Sequence, residues 1–115
     1  MTDQVVFENS PQRYTAVELG IANGAAVSDQ LDISHGGMPA MLTVPAAMTD
    51  LDHFEIEGRW TSTGSWSNSI QDEDEAVVKI MADTSDPILL PIAQMAMLPP
   101  YIRFAAKQDD DTDAD

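Results

Sequence analysis

Two histidines, His35 and His53, are the first residues to test for acid–base or metal chemistry, because imidazole changes charge near neutral pH. They stand 18 positions apart, with none of the close His-x-x-x-His or Cys/His spacing that sets ligands around zinc. His35 adjoins Gly36-Gly37 in an expected turn and His53 opens an expected strand, so each reads as a surface or loop histidine. Serine is plentiful, yet no Gly-x-Ser-x-Gly elbow occurs, and Ser34-His35 is an incidental pair. With no cysteine, disulfides, thiolate metal sites and cysteine nucleophiles are excluded. The sequence therefore predicts no catalytic, cofactor-binding or metal-ligating residue.

Carboxylates are the most abundant chemical group. The run Asp72-Glu-Asp-Glu75 has the oxygens that a hard cation wants, but lacks the glycine and the spaced terminal glutamate of an EF-hand loop. It reads as a solvated loop that keeps a sheet edge from pairing. Asp83-Thr-Ser-Asp-Pro87 reads as a turn. Trp60 and Trp66 flank a polar segment, where they would face each other on a hairpin, stack on a sugar, or pack in a core or subunit interface. The seven methionines suggest adaptable apolar packing, part of it between subunits. Val5, Phe7, Tyr14, Trp60, Trp66, Met95, Met97 and Tyr101 form the candidate interface set.

The elements that position these residues follow mostly a period of two. His53-Phe-Glu-Ile-Glu-Gly-Arg-Trp60 alternates as a half-buried strand, and Met38-Pro-Ala-Met-Leu-Thr-Val44 reads as a short buried one. Ala76-Val-Val-Lys-Ile-Met81 and Tyr101-Ile-Arg-Phe-Ala105 also read as strands. Val5 to Glu8, Thr15 to Leu19 and Val27 to Ile33 are weaker candidates, separated by Pro11 and Asn23-Gly24. Helix fits only one turn at Pro45 to Asp50 and about two turns at Pro91 to Leu98, where Pro99-Pro100 ends it. Thr61 to Ser69 is a polar hairpin loop. The expectation is an all-β fold, an antiparallel β-sandwich or jelly-roll-like barrel of about six to eight short strands with one or two short helical turns. Residues 1–14 would form an N-terminal arm, 15–107 the β-domain, and 108–115 a flexible acidic tail.

At 115 residues, 43% of them apolar, the chain suits one domain with one core. Twenty acidic residues against five basic give a net charge of -15, which makes nucleic acid and anionic membrane poor partners. The segment QDDDTDAD at 108–115 holds five of the acids, leaving a net -10 over 1–107. No apolar run reaches the roughly 18 to 20 residues of a membrane helix, and MTDQVVFENS lacks a signal-peptide pattern. A soluble protein made in the cytoplasm is expected.

Several segments in order resemble the small β-sandwich decoration, or cement, proteins of tailed-phage capsids. These are Thr15-Ala-Val-Glu-Leu with Asn23 to Ile33, Gly36 to Met48 with its Pro-Ala-Ala turn, Leu51 to Gly58, and Ile88 to Phe104. The likeness is one of pattern over about two thirds of the chain and departs at Thr61 to Glu75 and after Phe104. It implies a non-enzymatic virion protein on the capsid exterior, with the major capsid protein as partner, as a homo-oligomer suited to local threefold positions. Two other classes fit less well: an acidic DNA mimic inhibiting a DNA-binding enzyme, and a carbohydrate-binding module using Trp60 and Trp66. The mimic would need acids spaced along one surface, whereas here they cluster.

Overall fold

A computed structural model describes residues 19–21, 26–44, 50–108 and 112. In chain order these form β1 (Leu31–Asp32), β2 (Met41–Leu42), β3 (His53–Arg59), β4 (Ile80–Met81), β5 (Ile88–Leu89), α1 (Ile92–Met95) and β6 (Tyr101–Lys107). Four strands make an antiparallel sheet in the order β1-β6-β3-β4, and β2 and β5 pair as a small second sheet. The described residues are thus almost all strand, turn and extended chain, which agrees with the all-β expectation.

The long β3–β6 ribbon is the spine. Along β3, Phe54 and Ile56 alternate with His53, Glu55, Glu57 and Arg59, so a two-residue period turns one face apolar and the other polar. On β6, Ile102, Phe104 and Ala106 share the apolar face. These residues pack with Val44, Ile80, Leu90 and Met95, so the second sheet and α1 close the core. Phe54 and Phe104 meet edge to face, with centroids 6.4 Å apart. Ile56 and Ile102 are completely buried, each stabilising the fold by about 2 kcal/mol by apolar area.

Two local devices shape this spine. Between the pairs Val27↔Ala105 and Leu31↔Ile102 the incoming segment carries one residue more than β6, a β-bulge. Ser28 fills it: its N–H donates to Phe104 O at 2.9 Å, and its Oγ accepts from Phe104 N at 2.9 Å. At Gly58 a Cβ would lie 2.3 Å from Pro99 Cγ. Only glycine lets the Pro99-Pro100 corner lie against β3 there.

Several strands are shorter than the alternation predicts. The buried strand expected over Met38 to Val44 is the two-residue β2, whose Met41 faces outward. The strand expected over Ala76 to Met81 is a bridge, Gln71↔Val77, followed by β4. Five residues, Asp72 to Ala76, form the turn between: Asp72 N–H donates to Ala76 O, and Asp72 Oδ1 accepts from the N–H groups of Asp74 and Ala76. Glu75 sits there at φ 64°. The helix expected over Pro91 to Leu98 is a single turn, capped by Pro91 in extended geometry. The expected strand Val5 to Glu8, most of Thr15 to Leu19, and most of the turn at Pro45 to Asp50 lie outside the described residues, as do the arm and nearly all of the tail.

Candidate functional site

The polar face of the spine is the densest cluster of chemical groups. The register sets His53 beside Lys107, Glu57 beside Arg103 and Arg59 beside Tyr101. Such a face on a lone ribbon would be solvated. Here the chain leaving β3 loops back and runs beside the edge of that strand, with Ser67 N–H donating to Gly58 O and Ile70 N–H to Ile56 O, each at 2.8 Å. That return places Ser69 and Trp66 over the polar side chains.

At one end lies a four-residue chain of hydrogen bonds. His53 is wholly buried, its Nδ1 2.8 Å from Asp52 Oδ2 and its Nε2 2.8 Å from Glu55 Oε2. Ser69 Oγ donates to the other Glu55 oxygen at 2.5 Å. Burial works to raise the Glu55 pKa, but the hydrogen bonds from Ser69 and His53 and the charges of His53 and Lys107 outweigh it, and the carboxyl lies below its ordinary value. Asp52 opens onto a recess of about 260 Å³ shared with Asp50, Leu51 and Gln108.

The order of this chain decides its chemistry. In acyl-transfer sites the serine must meet an imidazole that takes its proton. Here Ser69 meets a carboxylate, and one held below its usual range is a poor base for a hydroxyl. The arrangement fastens the loop to the sheet instead of activating Ser69. Among the described residues no group of three or more His, Asp or Glu side chains is placed to hold a metal ion.

At the other end, Trp66 is held by two guanidiniums: Arg59 Cζ lies 4.1 Å and Arg103 Cζ 4.5 Å from the ring centroid. Arg59 also donates to Gly64 O and Ser62 O at 2.7 Å and to Gln30 Oε1, while Arg103 Nε donates to Glu57 Oε1 at 2.7 Å. One arginine thus ties the loop, the sheet and the segment before β1 together.

The candidate interface residues fall in different places. Trp60 is exposed, but Trp66 is half-buried with its ring engaged by Arg59 and Arg103. Tyr101 is half-buried across from Arg59. Met97 is 84% exposed, whereas Met95 is only 2% exposed, because α1 turns it inward as part of the core. Val5, Phe7 and Tyr14 lie outside the described residues. His35 is exposed beside its glycine turn as the sequence predicts. His53 is the correction: it is the most enclosed polar residue of the site, with both ring nitrogens held by the carboxylates of Asp52 and Glu55. The signal available was the interleaving of Asp52, His53, Glu55 and Glu57 with Phe54 and Ile56 on one strand.

A second feature lies on the small sheet. Met41 and Leu89 are direct partners across β2 and β5 and both point to solvent, while Leu42 and Ile88 pack inward. Ile92 at the start of α1 and Met97 just after it are also exposed, as is Met38 before β2. Residues 36–44 and 87–102, which supply this face, contain no charged side chain in a chain with 25 of them. The acids stand elsewhere, among them Asp83 and Asp86 in the turn before β5. Backbone N–H groups of Ser85 and Asp86 hold the Asp83 carboxyl below its ordinary pKa. No family model, curated protein or solved structure matches the chain.

Proposed function

We propose that this chain is a non-enzymatic virion protein that binds the outer surface of a phage capsid at subunit junctions and stabilises the shell, with the major capsid protein as its partner. Its strands close as a small β-sandwich or jelly-roll, and its copies associate, as trimers at local threefold positions. The observation that carries this reading is the sorting of the surface into a charge-free apolar face and separate acidic turns. A protein that assembles with its own copies and also docks on a basic lattice needs both kinds of contact. Acidic turns at Asp72 to Glu75 and Asp83 to Asp86 would meet basic patches on the shell, and the net charge of -15 keeps the chain off packaged DNA. Binding only the assembled shell stabilises it by mass action.

The buried polar cluster supports the same reading from the other side. Its imidazole is sealed from solvent and its serine is not activated, which suits a scaffold better than a catalyst. Fractionating particles on a density gradient and counting copies of the chain against the major shell protein tests the proposal. Hundreds of copies per particle are expected. Absence from particles would overturn it, and a handful of copies would place the chain at the neck or tail.

A further inference from the structure

We infer that the charge-free face of β2, β5 and α1 is the surface through which this chain binds a second copy of itself. The inference rests on the oligomer named above and is independent of the shell. The face is built, because Met41 and Leu89 face outward from paired positions while their neighbours Leu42 and Ile88 anchor the ribbon to the core. Ile92 lies three residues past Leu89 and Met38 three before Met41, so each is within about 10 Å along the backbone of that pair. Leu89 is 79% and Met97 84% exposed, and with Met38, Met41 and Ile92 they gather exposed apolar side chains in these segments instead of scattering them singly.

Charge identifies the occupant. Two copies that each carry -15 repel one another, and any self-contact that opposes carboxylates is penalised. Whether two copies meet across a two-fold axis or three close a ring, each contact sets equally acidic copies side by side, so the tolerable contact is one without charge. Residues 36–44 and 87–102 meet that condition. A basic partner would find no carboxylate here to pair with, since the acids that would select it lie on the turns. Flexible methionines at Met38, Met41 and Met97 adapt to such a contact.

Sedimentation equilibrium of the full chain across a wide concentration range, at low and at high salt, tests the inference against Leu89→Asp and Ile92→Asp. Both positions are exposed, so the variants keep the fold, and unchanged tryptophan fluorescence and melting in dilute solution verify this. The wild-type chain is expected at two or three times the monomer mass, more tightly at high salt because screening relieves the repulsion. Each aspartate should weaken association by about a hundredfold or more, since a charge enters a desolvated contact. A wild-type chain monomeric at every concentration would overturn the inference, and so would an oligomer that Leu89→Asp and Ile92→Asp leave intact. Association that weakens with salt would overturn it in favour of charge-paired contacts. An oligomer abolished by Leu89→Asp in a chain absent from particles would uphold the inference and refute only the capsid reading.

Discussion

Replacing Glu55 by glutamine removes one charge and one acceptor from the centre of the buried chain Asp52–His53–Glu55–Ser69, with no change of volume. Glu55 accepts from His53 at 2.8 Å and from Ser69 at 2.5 Å, and is buried. The amide can keep only one of those acceptor roles. A hydrogen bond to a charged group in such a place is worth about 2 kcal/mol, so Glu55→Gln should cost about that at pH 7 and lower Tm by about 10 °C. The cost also depends on pH in a fixed direction. The folded state holds the Glu55 pKa below its ordinary 4.5, so this stabilisation is fully present above that value and disappears as pH falls through the lower folded value. Urea unfolding of both proteins from pH 7 down to pH 3 measures the gap, and the difference between them cancels the titration of the other carboxylates. The gap should be constant at neutral pH and close below pH 4.5. A variant as stable as the parent at pH 7, or a gap that persists unchanged at the acid end, would refute the reasoning.

Gly58→Ala drives a methyl group into Pro99 and should cost about 3 kcal/mol in urea denaturation. Trp66→Ala removes the ring held by Arg59 and Arg103 and should release the loop after β3. Hydrogen exchange should then quicken at Ser67 and Ile70 while the β3–β6 amides stay protected. Met95→Ala leaves a cavity in the core and should cost about 2 to 4 kcal/mol, whereas Met97→Ala, two residues on and exposed, should change monomer stability by less than about 0.5 kcal/mol. Equal losses at the two methionines would show that α1 is rotated from its described position.

The alternation of Phe54 and Ile56 with acids, and of Ile102 and Phe104 with Arg103, is enough to predict the two long strands, because a strand with one buried face forces a two-residue period on its own sequence. A charged loop at Asp72 to Glu75 and a turn at Asp83 to Pro87 are equally legible, and in the structure Asp72 and Asp83 bond their own backbone within a few residues. The absence of cysteine and the surplus of acids likewise follow from composition. Which polar residues are buried does not. Glu55 meets Ser69, and Arg59 and Arg103 meet Trp66, only because a nine-residue polar loop folds back beside β3, and those contacts span positions that no local period links. Met95 and Met97 show the same division: identical side chains two residues apart, sent to core and to solvent by the rotation of a single helical turn. Residues 36–44 and 87–102 are visibly free of charge in the sequence, but only the antiparallel pairing of β2 with β5 brings Met41 and Leu89 onto one face. Local side-chain periodicity selects the elements, whereas burial and juxtaposition depend on long-range contacts whose partners the local pattern does not encode.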